Sequence, residues 1–158
     1  MEDHVAVDAW RGILFAYSKV FRALEVDLLE HHDLPAAWFD VMARVRQAPG
    51  QRLRFRQLGD VSLLTRSGMT RLVDRIEAAG YVRREPSPED RRGVYVVITQ
   101  AGIDKLDDVW PDHVASIQEH FGKYLDQDDA IALRAAAEKV LAGDEAYEAA
   151  LAVGEEDS

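Results

Sequence analysis

Apolar side chains recur at helical spacing in the first fifty residues. In residues 8–30 they stand three or four positions apart over about six turns: Trp10, Ile13, Leu14, Tyr17, Val20, Phe21, Leu24 and Leu28. A second run extends from Trp38 to Val45. It follows Pro35, which suits a first helical position, and stops before Pro49-Gly50. The pattern predicts two helices, and the long aromatic stripe of the first predicts packing beyond its own domain.

The next segment has the pattern of a helix-turn-helix. Leu53 and Phe55 suit a short strand, residues 56–61 a short helix, and residues 62–64 a turn. Thr65 is a good N-cap, and Gly80 supplies a stop. Between them, one buried helical face is predicted: Met69, Leu72, Val73 and Ile76. Two helices joined by a short turn form the unit that commonly reads DNA.

After Gly80 the period changes to two, which predicts strands at 81–85 and 94–98 around a polar loop. Thr99 then caps a helix over about 100–123, in which Pro111 is expected to produce a kink. Asp126 caps a last helix. The predicted fold is mainly α, with a small two- or three-stranded antiparallel β wing.

We expect one domain over residues 1–158. Residues 34–98 form its winged-helix region, and residues 8–32 and 100–150 supply the flanking helices. Residues 152–158, which end in the polar, acidic stretch Gly154-Glu155-Glu156-Asp157-Ser158, are expected to form a flexible tail.

Charge is distributed unevenly along the chain. The 158 residues have a formal net charge of −10, yet residues 51–100 contain ten Arg, no Lys and six Asp or Glu, for a local balance of +4. Arginine is suited to phosphate and base-edge contacts, and local basic patches bind phosphate backbones. The distribution therefore points to nucleic acid although the chain is acidic as a whole.

Composition excludes several other classes. There is no cysteine, hence no disulfide or thiolate metal site. No apolar run approaches the ~20 residues of a membrane span, and the acidic start, Met1-Glu2-Asp3-His4, argues against a secretory signal. These features fit a cytoplasmic protein that does not bind a membrane.

Three stretches of the central block resemble the MarR family (multiple-antibiotic-resistance regulators) of bacterial transcription factors. They are Thr-Arg-Ser-Gly-Met-Thr-Arg-Leu-Val-Asp-Arg-Ile-Glu at 65–77, Ala-Gly-Tyr-Val-Arg-Arg at 79–84 and Pro-Glu-Asp-Arg-Arg-Gly at 88–93. The last, between two strands, is the most specific. Leu63 stands where many members have a glycine, which predicts a different entry angle for the following helix.

The resemblance implies a homodimer formed by the N- and C-terminal helices, with two winged helices that bind a pseudo-palindromic, double-stranded DNA operator. A repressor released by a small molecule is the expected form. The resemblance also implies a crevice for a small phenolic or anionic effector between the dimerisation and DNA-binding parts. The residues available to line it are Trp10, Tyr17, Trp38, Phe39, Met42, Arg46, Trp110 and His113.

The face of the recognition helix opposite its buried side is predicted to enter a major groove. The DNA-binding residues expected there are Thr65, Arg66, Ser67, Gly68, Thr70, Arg71 and Arg75. Arg66 and Arg71 have the reach to bond guanine, and Gly68 leaves room for close approach. Arg75 is expected to touch phosphate or to pair with Asp74 or Glu77.

The wing supplies the second predicted contact. Arg91 and Arg92 lie at its tip, and a narrow minor groove attracts inserted arginine. By resemblance, Arg92 matches the minor-groove arginine and Asp90 the acid that braces the wing. Arg83 and Arg84 flank the wing, and one of them is expected to contact phosphate.

Two alternatives remain open at this stage. The first is a winged-helix module for protein–protein contact, whose acidic helices would bind a basic partner. The second is a metal-dependent sensor that uses the histidines, although His113 and His120 are seven apart and lack an i, i+4 partner. No phosphate loop, nucleophile motif or metal-ligand repeat is present, so neither an enzyme nor a cofactor is expected.

Overall fold

A computed structural model of the chain describes residues 2–60, 66–88, 90 and 92–144. The expectations for Thr65, for the turn at 62–64, for Arg91 and for the tail at 152–158 lie outside these residues. The helices are α1 (Glu2–His32), α2 (Ala36–Gln47), α3 (Phe55–Asp60), α4 (Arg66–Ala78), α5 (Gln100–His120) and α6 (Gln127–Val140). The strands are β1 (Arg52–Arg54), β2 (Val82–Pro86) and β3 (Val94–Ile98).

This order of elements confirms the predicted fold class, a mainly helical chain with a small antiparallel wing. Short 3-10 helices also occur at Pro49–Gln51 and Gly122–Tyr124. None of the described helices is long and apolar enough to cross a membrane.

The chain divides into two compact units. The helical unit comprises the described residues up to 36 together with 109–134. The winged-helix unit comprises the described residues of 37–108 and those from 135 onward, and it contains α3, α4 and all three strands.

The sheet has three strands in the order β1-β3-β2, and both pairings are antiparallel. In the central strand, Val96 lies opposite Leu53 of β1 and Arg84 of β2, whereas Tyr95 lies opposite Arg54 and Glu85. Because side chains alternate along a strand, these two rows face opposite sides of the sheet. The row of Val96 is the inner one, since Val96 is fully buried.

The winged-helix unit closes a core of its own. On α4, Met69, Val73 and Ile76 are buried, as the spacing predicts, and Leu72 is half-buried. They share this core with side chains of α2, α3 and the sheet: Met42, Val45, Leu58, Val82, Val96 and Ile98. The core fixes which face of α4 is left to solvent.

Local signals account for several helix boundaries. The Thr99 hydroxyl accepts a hydrogen bond from the Gly102 amide at 3.1 Å and donates to the Gly80 carbonyl at 2.6 Å, so it caps α5 and ties it to the end of α4. A Cβ on Gly102 would lie 2.3 Å from the Tyr81 oxygen, so this packing requires glycine. Asp126 caps α6 by accepting from the Asp129 amide at 2.8 Å.

Other boundaries differ from the prediction. Phe55 is the first residue of α3 and does not extend the strand. The Gln57 side chain accepts a hydrogen bond from the Arg54 backbone amide at 2.9 Å, as in a capping box, and this contact favours the start of a helix. Helix α1 is longer at both ends than residues 8–30. Helix α5 continues through Pro111 and ends at His120.

Candidate nucleic-acid interface

The solvent face of α4 carries short, polar side chains near its N-terminal end. Ser67, Thr70 and Arg71 are exposed, and Gly68 is half-buried. Arg66 is described only as the first residue of the helix. Small side chains at the start of a helix, followed by a long arginine one turn later, suit insertion into a groove about 12 Å wide.

Arg84 of β2 holds this helix in place. Its guanidinium pairs with Asp74 at 2.7 Å and with Glu77, while its backbone amide donates to Glu77 Oε1 at 2.7 Å. The guanidinium also lies over the Phe55 ring of α3, 5.6 Å from its centroid. Because one side chain contacts both helices of the motif from the inner face of the sheet, it fixes the orientation of α4 against the wing.

These contacts bear on two of the assignments made from sequence. Arg84 is three-quarters buried in its ion pairs, which connect β2 to α4. Arg75 is exposed, and the carboxylates of Asp74 and Glu77 are bound by Arg84 rather than by Arg75. The sequence offers no local signal for this arrangement, because the partners lie seven and ten residues apart on different elements.

The wing loop is closed by backbone hydrogen bonds. The Ser87 amide donates to Gly93 O and the Gly93 amide to Asp90 O, both at 2.8 Å. The Asp90 carboxylate accepts from the Arg92 amide at 2.9 Å. A Cβ on Gly93 would lie 3.0 Å from that of Ser87, so the turn has little space for a side chain there. The closed loop leaves Arg92 exposed at its tip.

Arg83 lies on the outer row of β2 and remains more than half exposed. Its guanidinium pairs with Glu85, two residues on, at 2.7 Å. An exposed pair of this kind contributes little to stability and is easily exchanged for another anion. Of the two arginines that flank the wing, Arg83 is therefore the one whose guanidinium is more exposed to solvent.

The residues assigned to an effector crevice fall in both compact units. In the winged-helix unit, Phe39 and Met42 are core side chains, and Trp38 lies edge-on to Tyr81 with centroids 6.5 Å apart. The Arg46 guanidinium pairs with Asp107 at 2.6 Å.

In the helical unit, Trp10 and Tyr17 are well exposed on α1, and the Tyr17 ring stacks on Phe21 at 5.5 Å. Trp110 of α5 is half exposed, 6.1 Å from the His113 ring. Burial lowers the pKa of His113, which favours its neutral form.

A polar cluster that the sequence reasoning missed joins α1 to α5 in the helical unit. The Asp27 carboxylate accepts a hydrogen bond from the Ser116 hydroxyl and contacts His120 Nε2 at 2.9 Å. The Ser116 hydrogen bond, followed by that of His120, lowers the pKa of Asp27 against the opposing effect of burial. His32 Nε2 lies 3.0 Å from the Asp112 carboxylate, so two histidine–carboxylate pairs link the helices.

A cavity of about 310 Å³ lies beside this cluster, lined by side chains that include His31, His32, Asp112, His113 and Glu119. Within the described residues, no group of three or more histidine or carboxylate side chains is arranged to hold a metal ion. The repeat of polar residues at 112, 116 and 120 on α5 is the one sequence signal that marks this face.

Comparison with known proteins identifies the family. Residues 32–93 match the model of the MarR family. The chain is 33% identical over 110 residues to the HTH-type transcriptional regulator MhqR of Bacillus subtilis, a match that covers 68% of this chain and 74% of the relative.

Two solved structures extend the comparison to the fold. AbsC, a MarR family transcriptional regulator from Streptomyces coelicolor, matches with a TM-score of 0.72 and 30% identity over 85% of this chain and 87% of its own. A mutant of MarR from E. coli, complexed with operator DNA, matches with a TM-score of 0.70 and 29% identity over 86% of this chain and 95% of its own.

The chain therefore belongs to the MarR family. It is a DNA-binding transcriptional regulator with a winged helix, and the matched relatives carry the names of regulators rather than of enzymes.

Proposed function

We propose that the chain is a homodimeric repressor that binds a pseudo-palindromic operator and is released from it by a small effector. The observation that carries the proposal is the polar face of α4, which is oriented by Arg84 and flanked by a closed wing with Arg92 at its tip. The similarity of the chain to a MarR mutant that was solved in complex with operator DNA supports operator binding.

In this proposal α4 enters the major groove and the wing enters the adjacent minor groove. Arg71 bonds guanine O6 and N7, while Ser67 and Thr70 contact bases or phosphates. Asp74 points from the same helix, but its charge is compensated by Arg84 at 2.7 Å, which reduces its repulsion of the DNA backbone. Arg92 occupies the minor groove, whose narrow form has an enhanced negative potential.

A second copy of the chain is the proposed partner of α1. Large apolar side chains are exposed on this helix at the spacing that the sequence pattern picks out: Trp10, Ile13, Leu14, Tyr17 and Phe21. Fully burying one such side chain contributes about 1.5–3 kcal/mol, so a face of five is unfavourable in water and favours association. A homodimer places two copies of α4 for two half-sites of an operator.

The effector is proposed from the family resemblance, as a small phenolic or anionic molecule. Trp110 is half exposed and lies beside His113, so a ligand bound there would alter the emission of that tryptophan. Titration with a salicylate-like anion, comparing the wild type with Trp110→Phe, tests this site. Equal quenching in the two proteins would place the ligand elsewhere.

The test of the whole proposal is binding to a duplex from the region upstream of the protein's own gene, at two salt concentrations, against a scrambled duplex. Tight, salt-sensitive binding that a salicylate-like anion weakens is the expected result, because phosphate contacts release counterions. Binding that does not distinguish the two duplexes at either salt concentration would contradict an operator-specific repressor.

A further inference from the structure

Two neighbouring cations on α1 stand out in the acidic helical unit, which contains five Lys or Arg against twelve Asp or Glu. Lys123, beyond the end of α5, pairs with Glu119. Among the described residues, Lys19 and Arg22 have no carboxylate within ion-pair distance. Side chains three positions apart on a helix are neighbours, so these two positive charges repel each other unless an anion binds near both.

Both side chains line an open cavity of about 320 Å³ between α1 and the end of α5. The other lining residues are Ala23, Val26, Asp27 and His120. The Asp27 carboxylate is already bound, because the Ser116 hydroxyl donates to it and His120 Nε2 lies 2.9 Å from it. The cavity has the volume of a small-molecule site, and its uncompensated charge is positive.

An aromatic ring holds the lysine of this cavity. The Lys19 ammonium lies 5.8 Å from the centroid of the Tyr124 ring, and the Lys123 ammonium lies 5.3 Å from the same centroid. A cation–π contact orients an ammonium without neutralising its charge. Since Tyr124 follows α5 in the chain, the contact also links α1 to the segment beyond α5.

The cavity lies on a different side of α1 from the apolar face proposed for self-association. At about 100° per residue, Trp10 and Phe21 project within about 40° of Tyr17 around the helix axis. Arg22 and Val26 project about 140° and 180° from Tyr17. A second copy bound to the apolar face would therefore leave the cavity open. None of the lining residues belongs to the proposed effector crevice.

We propose that this cavity binds the phosphate group of a small organic phosphate. The Arg22 guanidinium presents a planar pair of N–H groups that match two phosphate oxygens, and Lys19 supplies a point charge. A phosphate monoester carries about −1.5 to −2 charges at pH 7, which suits two cations better than a single carboxylate does. Ala23 and Val26 offer apolar contact to the organic part. Because the lining comes from α1 and α5, the bound anion joins the two helices.

Isothermal titration calorimetry of the full chain tests the site, with inorganic phosphate and glycerol 3-phosphate as probes at constant ionic strength. Glycerol 3-phosphate is not aromatic, so it does not probe the proposed phenolic site. Both probes should bind, and glycerol 3-phosphate more tightly, because its carbon chain contacts the apolar lining. Lys19→Gln/Arg22→Gln should weaken its binding by at least about tenfold, since charge-assisted hydrogen bonds are lost.

The matched control removes the same charge from other positions. Arg11→Gln/Lys139→Gln also deletes two exposed cations, neither of which lines the cavity, and it should bind both probes like the wild type. Tyr124→Leu should weaken binding in part, because Lys19 loses its support. Tyr124→Phe, which keeps the ring, should restore it. Tyr124 is thus a positioning residue.

The outcomes decide the proposal without any use of DNA, so they are independent of the proposed function. If the wild type shows no saturable binding of either probe up to about 10 mM, the site is wrong. Equal weakening in the two double variants would also overturn it, because binding would then report net charge alone. If inorganic phosphate binds as tightly as glycerol 3-phosphate, the organic ligand is wrong.

Melting curves without added anion show whether each variant folds. Lys19 and Arg22 are exposed, so the variants should melt like the wild type. In the wild type and the matched control, glycerol 3-phosphate should raise the melting temperature, because it binds only the folded chain. If Lys19→Gln/Arg22→Gln does not fold, Arg22→Gln alone provides the test. A rise in this variant as large as in the wild type would contradict the site.

Discussion

The two compact units differ in how far their large apolar side chains are exposed. The winged-helix unit buries its own, with Met42, Val45, Val73, Ile76 and Val96 at 0% exposure. In the helical unit, Phe15 is 79% exposed and Trp10 60% exposed, and apolar residues remain exposed on α5 and α6 as well. The first unit presents charge and polar groups to a polyanion, whereas the second presents a surface that water disfavours. In the proposed function, DNA binding is therefore assigned to the winged-helix unit and self-association to the helical unit.

The largest expected effect tests the apolar face of α1. Ile13→Glu places a charge among Trp10, Tyr17 and Phe21, so dimerisation should weaken by at least about 2 kcal/mol, roughly thirtyfold in Kd. Sedimentation equilibrium measures it. The matched control is Val94→Glu, which changes an exposed valine of the wing and should leave self-association unchanged. If the wild type is a monomer in this experiment, the assignment of self-association to the helical unit is wrong.

The next prediction concerns the recognition helix. Arg71→Ala should weaken operator binding by about 1–3 kcal/mol and relax specificity at one base pair, because it removes a base contact from a residue that has no part in the core. A titration of operator variants measures both effects. If affinity falls equally for every sequence, Arg71 binds phosphate and the base assignment is wrong.

Substitution of Arg84 tests whether its ion pairs with α4 stabilise the winged-helix unit. Arg84→Ala breaks two ion pairs and the contact with Phe55, so the free energy of unfolding should fall by about 1–2 kcal/mol. Arg83→Ala, one residue away in an exposed pair, should change it by less than about 0.5 kcal/mol. Thermal melts compare the two. A normal melt with lost DNA binding in Arg84→Ala would instead support the phosphate contact predicted from sequence.

The smallest effects are expected from the polar cluster of the helical unit, and they depend on pH. The Ser116 and His120 hydrogen bonds lower the pKa of Asp27. Its stabilising effect is therefore complete above the ordinary value of 3.8 and is lost as the pH falls through the lowered value. The difference in melting temperature between wild type and Asp27→Asn should shrink below pH 3.8, and Ser116→Ala should shrink it in part. If this difference in melting temperature does not depend on pH, the Asp27 carboxylate is not stabilised by Ser116 and His120.

His113 is expected to affect the stability of the protein in a different pH range from Asp27. Burial lowers its pKa, so the unfolded chain takes up the proton first, and stability is lost as the pH falls below the ordinary value of 6.5. His113→Gln should flatten the pH dependence of melting just below 6.5 and leave the more acidic window of Asp27 intact. Unaltered curves in that range would show that His113 is not desolvated in solution.

Much of the winged-helix unit was predictable because its signals are local. The spacing of Met69, Val73 and Ile76 marks the buried face of α4, and the β-branched run at 94–98 predicts β3 with the observed bounds. The cap at Thr99 depends on a neighbour three residues away, and the same holds for the cap at Asp126 in the helical unit. The predicted strand at Phe55 was wrong because the Gln57 side chain accepts a hydrogen bond from the Arg54 amide, and the helix starts there.

The sequence by itself determined the class of fold, the arginine-rich block and the solvent face of α4, since each depends on composition or on a period of two or 3.6 residues. Only the tertiary structure decided what individual charged side chains do. Arg84 is an anchor because β2 lies against α4, Arg52 and Arg54 share the Tyr95 ring because β1 pairs with β3, and Asp27 meets Ser116 and His120 across about ninety residues. Such partners are set by packing and strand register, which bring together residues that no local pattern connects.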